Sequence, residues 1–211
     1  MKSEQGAGCG GKRHRGVAGG GFQVLELVKL VSAIGITGAL VAPPVMHGLD
    51  RLRLRWAAEQ VAGVLRGARH FALERGCGVG VRFGSGVAGG LTYAAYADGT
   101  GNGVRQRDVE TGADPALETP RPLALAAGVR IGFPAGRRVR DPAFPGRFLG
   151  AAARPLDFGG GELAVFDPLG GGAAPGAVFL TDGDGLAVVR VAGGTGSPAV
   201  ALYDPRTESW R

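Results

Sequence analysis

One carboxylate stands inside the longest apolar run of the chain. Glu26 lies near the start of the stretch from Phe22 to Ala42, 21 residues whose only other charge is Lys29. A carboxylate in hydrocarbon is costly unless paired, so a glutamate in such a place marks function before anything else. Lys29 follows three residues later on the same helix face. It either pairs with Glu26 or carries its ammonium out to lipid headgroups on its own stem. A second constellation is Asp98-Gly99-Thr100-Gly101-Asn102-Gly103: oxygen-bearing side chains at alternate positions and then a glycine, the pattern that opens a calcium loop. Such a loop closes on a bidentate glutamate at its twelfth position. Here that position is Val109, flanked by Asp108 and Glu110. The metal candidates left are Asp98, Asn102 and Asp108, beside the plainer reading of an Asx/Gly turn between strands. His14, His47 and His70 stand apart from cysteines and carboxylates at ligand spacing. No Gly-x-Ser-x-Gly elbow occurs, and the glycine runs 159–161 and 170–172 lack the Lys-Ser/Thr of a phosphate loop. The sequence is not that of an enzyme, and no cofactor other than calcium is expected.

The elements that must position these residues begin with the apolar run itself. As a helix rising about 1.5 Å per residue, it just spans a bilayer core of about 30 Å. Three glycines, Gly19 to Gly21, precede it, and the basic cluster Lys12-Arg13-His14-Arg15 lies shortly before them. Gly35 and Gly38 fall in its second half, where small residues permit close helix packing. Pro43-Pro44 predicts a kink or an interruption. Helical periodicity then resumes: Leu49, Leu52, Trp56, Ala57, Val61, Val64, Leu65, Ala68 and Ala72 recur at three- and four-residue steps, with Gly76 as the C-cap. This stripe is expected to bury against a sheet. The alternative is a helix lying on a membrane, with Arg51, Arg53 and Arg55 at the headgroups.

Gly21-Phe22-Gln23-Val24-Leu25-Glu26 resembles the prepilin processing motif of type IV pilins and type II secretion pseudopilins. The resemblance implies cleavage between Gly21 and Phe22, N-methylation of Phe22, and an assembly role for Glu26, which lies four residues past the cut. Pro43 falls where the family often carries a helix-bending proline. The amine freed on Phe22, in the same subunit or a neighbour, becomes the partner for Glu26, and that pairing would set a subunit's height in a filament. Lys29 departs from the family, which usually keeps this segment free of cations. Further along, Leu65-Arg66-Gly67-Ala68-Arg69 through Gly76, the Val-x-Val-x-Phe strand, the Asp98 loop, Phe166-Asp167-Pro168-Leu169-Gly170, and the ending Tyr203-Asp204-Pro205-Arg206 with Trp210-Arg211 are similar to GspH/FimT-type minor pseudopilins.

Composition fits one anchor and one modest domain. Glycine makes up 41 of 211 residues, far above the usual ~7%. The net charge is +6, but residues 1–21 hold Lys2, Lys12, Arg13 and Arg15 against Glu4, so about half of it lies there. A basic leader before an apolar helix predicts leader in the cytoplasm and domain outside it, that is, a single pass through a bacterial inner membrane with the domain in the periplasm. Of the two cysteines, Cys9 falls in the leader, leaving Cys77 alone and no internal disulfide. From Gly78 the texture is short strands and glycine turns: 79–83, 91–96, 129–133, 163–166, 177–180, 186–191 and 200–203. Residues 97–122 read as loop, and Asp182-Gly183-Asp184-Gly185 as a tight turn.

The expected fold class is therefore α+β and pilin-like: a leader at 1–21, a membrane or filament-core helix at 22–46, an amphipathic helix at 47–76, and a β-rich periplasmic domain at 77–211 with an antiparallel sheet on the helix. Three functions compete. The first is a minor pseudopilin of type II secretion, with the major and other minor pseudopilins, the prepilin peptidase and the inner-membrane assembly platform as partners. The second is a minor type IV pilin that binds DNA through Arg130, Arg137, Arg138, Arg140, Arg147 and Arg154, with Phe133, Phe144 and Phe148 stacking on bases. The third is a membrane-anchored binding domain outside any filament. Nucleic acid is not a partner in the first and third.

Overall fold

The computed structural model describes residues 24–85, 91–149 and 152–211, without the side chains of 38–47 and 85. Gly21 and Phe22 lie outside the described residues. The architecture is α+β. One N-terminal helix, α1 (Val24–Arg75), is followed by β1 (Val79–Ser85), β2 (Leu91–Ala97), a short helix α2 (Gln106–Thr111), β3 (Arg121–Leu123), β4 (Arg130–Ile131), β5 (Leu156–Phe158), β6 (Leu163–Phe166), β7 (Gly176–Thr181), β8 (Leu186–Val191), β9 (Pro198–Asp204) and β10 (Ser209–Trp210). Two compact units meet between Pro44 and Val45, and α1 runs through the junction. The expected interruption at Pro43-Pro44 is absent, because the helical assignment continues across both prolines. Each proline removes only its own N–H donor, and the flanking turns supply the rest of the ladder.

Within the second unit, α1 packs against antiparallel sheets. One sheet has the order β3-β2-β1-β6. The other has the order β10-β9-β8-β7-β4, with β5 also pairing β7. The expected hairpin forms, with Val81 opposite Ala95 and Phe83 opposite Tyr93. So does the turn between β7 and β8. There Asp182 accepts from the N–H groups of Asp184 and Gly185, at 3.0 and 2.6 Å, while Gly183 takes a φ of +109°. Helix α1 ends as expected at Gly76, in the left-handed region at φ +61°. Cys77 is half-buried against the core.

One core joins the helix to both sheets. Leu54, Ala57, Ala58, Val61, Ala62, Leu65, Ala68 and Ala72 meet Val79, Val81 and Phe83 of β1, Ala164 and Phe166 of β6, Val178 and Leu180 of β7, and Ala187, Val189 and Val191 of β8. The many alanines let the helix backbone come close to the sheets. β7 and β8 are apolar on both faces, which is why 186–191 reads as an unbroken apolar run. Their far face carries a second cluster of Val139, Phe179, Leu186, Val188 and Tyr203, covered by Phe133, Leu149 and Trp210. The Trp210 indole N–H donates to the Arg140 carbonyl at 2.9 Å and ties the chain's last residues to that covering loop.

Three expectations need correction. Leu49, Leu52 and Trp56 are not in the core but exposed. At about 100° per residue they fall on the side of α1 opposite Leu54, so two apolar faces were merged into one stripe. Residues 97–122 are not all loop, since they hold α2 and β3, and β5 and β10 are further additions. The strand expected over 129–133 shortens to Arg130–Ile131.

Gly176 faces Phe158 across the β5–β7 pair, and the ring lies where a Cβ on residue 176 would stand. That ring also stacks on Phe83, with centroids 6.5 Å apart. Gly176→Ala therefore forces the ring out of the core. The expected loss is about 1–3 kcal/mol in chemical denaturation, against no comparable loss for Gly63→Ala, where the added methyl meets open space.

Candidate functional site

The first unit's described side chains, 24–37, are exposed all round the helix. Val24, Leu25, Leu27, Val28, Leu30, Val31, Ile34 and Ile36 are each more than half exposed. A helix apolar on every side is normally buried in protein or lipid. Glu26 lies in its first turn and is exposed, as is Lys29. Among the described residues no ion pair joins them. The Thr37 hydroxyl donates back to the Ala33 and Ile34 carbonyls, at 2.7 and 3.0 Å, so this polar group asks nothing of its surroundings. Among the described residues no helix is long and apolar enough to cross a membrane. Residues 24–37 span about 21 Å at about 1.5 Å per residue, and the rest of the apolar run lies outside the described side chains.

The Asp98 loop is built around N–H donors. Asp98 Oδ1 accepts from the backbone of Thr100 at 3.1 Å and Gly101 at 2.7 Å, and Oδ2 accepts from Gly103 at 2.8 Å. Burial pushes the carboxyl pKa up. The N–H groups of Gly103, Gly101 and Thr100 together outweigh it and hold the pKa below the usual value. A second carboxylate, the buried Asp114, takes the Gly99 N–H at 3.0 Å and the Arg105 N–H at 3.1 Å. Sequence reasoning passed over Asp114; its place before Pro115, at the close of the loop, was the available signal. Donors converging on both carboxylates suit anions and repel a cation. Asn102 is exposed, and Asp108 sits on α2 with one buried oxygen that has no partner. Among the described residues no group of three or more His, Cys, Asp or Glu is arranged to hold a metal. Asp98, Asn102 and Asp108 are thus parts of a turn and a helix rather than one ligand shell.

The arginines expected on a DNA-binding surface are largely engaged within the fold. Arg137 donates to the Asp184 carbonyl at 2.6 Å, and Arg154 to the Gly160 carbonyl at 2.9 Å. Arg140 pairs with Glu208 at 2.7 Å, and Arg147 with the buried Asp141 at 3.1 Å. Arg138 and Arg140 lie over the Phe148 ring and Arg147 over Phe144. Phe133 packs on Phe179, with centroids 4.9 Å apart. Bases would have to displace guanidinium groups from two of the three rings expected to stack on them.

Compared with known proteins, the chain matches no family model, no curated protein and no solved structure.

The Asp98 geometry fixes a pH dependence. A carboxyl whose folded pKa is depressed contributes stability above its unfolded pKa of about 3.9, and that contribution is lost as pH falls through the folded value. Asp98→Asn is therefore expected to lower stability at pH 7, with the gap from the parent protein closing below pH ~4 in denaturation series. Calcium added at millimolar level is expected to leave the parent's melting temperature unchanged. A clear calcium-dependent rise would reinstate the loop as a metal site.

Proposed function

We infer that the protein is a pilin-class filament subunit, and within that class a minor pseudopilin of type II secretion. One observation carries the inference: a single helix is apolar on every described side over 24–37 and, from Leu54 to Ala72, packs one face against antiparallel sheets. The first part needs a bilayer or neighbouring helices to cover it. The second holds a folded domain on the same rod. A subunit that waits in a membrane and then moves into a filament core requires that division.

The role is mechanical. Cleavage after Gly21 would free the Phe22 amine for methylation, and Glu26 would be neutralised by an amine from its own or a neighbouring subunit. The low dielectric of a helix bundle makes that pairing strong and its absence costly, so Glu26 selects one axial register. Lys29, three residues away and exposed, lies within reach of the same carboxylate or of headgroups. The domain supplies contacts to the major pseudopilin, to other minor pseudopilins or to cargo. The internal engagement of Arg137, Arg140, Arg147 and Arg154 weighs against the DNA-binding pilin.

Processing tests this reading directly. The protein is made with and without a prepilin peptidase, and its intact mass is measured. Loss of residues 1–21 and gain of one methyl group are expected, dependent on the peptidase and abolished by Gly21→Val. A chain that keeps its leader beside an active peptidase removes the filament reading and leaves an anchored binding domain.

A further inference from the structure

Helix α1 has a second apolar face that the domain does not use. Leu49, Leu52 and Trp56 are 48%, 57% and 69% exposed, on the side away from the core. Around the helix, at about 100° per residue, Arg51 and Arg55 fall on one flank of this strip and Arg53 on the other. All three arginines are exposed. The acids nearby are already paired: Asp50 with Arg53 at 3.2 Å, Glu59 with Arg66 at 3.2 Å, and Asp204 with Arg211 at 3.5 Å. The turn between β9 and β10 approaches the same part of the helix and adds the exposed Arg206 and Arg211. Asp204 in that turn is held below its ordinary pKa, first by the Arg206 N–H, against the opposing effect of burial, and then by the charges of Arg211 and Arg51.

We propose that the Leu49–Leu52–Trp56 strip, with the arginines on both flanks, docks the domain on an anionic phospholipid surface. The inference rests on the membrane reading of residues 24–37 and deepens it. An arginine stem lies along an apolar surface while its guanidinium reaches outward, where it binds phosphate in bidentate fashion. Tryptophan favours the same interfacial depth. Water leaves the strip uncovered. A second copy docked strip to strip would set the same cations face to face. A phosphate surface instead covers the strip and matches the charge on both sides of it. The strip begins four residues past Val45, the first residue of the second unit, and so lies on the part of α1 nearest the junction.

The test uses the full chain reconstituted into vesicles with brominated acyl chains, either phosphatidylcholine alone or equimolar phosphatidylcholine and phosphatidylglycerol. Two readouts are taken: retention against alkaline extraction, which reports the anchor, and tryptophan quenching, which reports the strip. The chain has two tryptophans, and Trp56→Phe isolates the contribution of Trp56 from that of Trp210. Trp56 is expected to be quenched in the anionic vesicles and far less in phosphatidylcholine alone. Replacing Arg51, Arg53 and Arg55 by glutamine should lower surface partitioning at least about tenfold, since each arginine near an anionic surface is worth about fivefold. A retained chain whose Trp56 is unquenched overturns this proposal and leaves the anchor standing. Quenching equal in both vesicles, or untouched by the arginine replacements, also overturns it. Trp56 shielded from lipid while Leu52→Cys forms a disulfide-linked dimer assigns the strip to a second copy instead. A chain extracted by alkali overturns the anchor and this proposal together.

Discussion

A helix that is apolar on every side at one end and on one side at the other must satisfy two solvents, and the rest of the molecule follows from that demand. From Leu54 to Ala72 the demand is met internally. Two antiparallel sheets present Val81, Phe83, Phe166, Val178 and Val189 to the same alanine-rich stripe. Neither sheet alone would cover it. The second sheet then has a far face of its own, and the segment around Val139 and Leu149, pinned by Trp210, exists to close it. At 24–37 no such cover is present among the described residues. Apolar surface left in water costs roughly 25 cal/mol per Å2, so a segment of this kind cannot be a neutral extension of the fold.

Much of this was legible because the sequence punctuates itself. Gly76 ends the helix, the alternation at 79–83 and 91–96 makes a hairpin, and Asp182 to Gly185 makes a turn, each from a local cause that tertiary context does not override. The phase of α1 was harder to read. Alanines at 57, 58, 62, 68 and 72 define the buried face but carry little hydrophobic weight, whereas Leu49, Leu52 and Trp56 carry much and lie elsewhere. A pattern weighted by hydrophobicity follows the larger side chains. Strands such as β4, β5 and β10 are two or three residues long and owe their pairing to β7 or β9 rather than to their own composition. For the site residues, the Asp98 loop was correctly placed between elements, but alternation of oxygen-bearing side chains cannot distinguish a cation shell from a carboxylate gathering N–H groups. Gly21 and Phe22 lie outside the described residues, so their motif still stands on sequence alone.

Glycine abundance invites a picture of looseness that the packing contradicts. Several glycines are required by close approach. A Cβ at Gly80 would stand 2.7 Å from Val104, and one at Gly185 would stand 2.9 Å from Leu54 of the helix. Others hold a φ that side chains rarely adopt, as at Gly183. The composition thus buys tight turns and intimate contacts, at the entropic cost glycine carries in the unfolded chain.

The distribution of arginine completes the physical picture. In the loops around 137–154 the guanidinium groups cap carbonyls, pair with Asp141 or Glu208, or rest on Phe144 and Phe148, where they stabilise the irregular backbone that covers the second sheet. Around Leu52 and Trp56 the cations instead surround an uncovered apolar strip, and their local acids are few and paired. Arginines that serve the fold occur where the chain has no regular hydrogen-bond ladder to rely on. On α1 the ladder is complete, so Arg51, Arg53 and Arg55 are not needed for backbone satisfaction. Their charge is free to face outward, beside the only part of the second unit that adjoins the apolar helix.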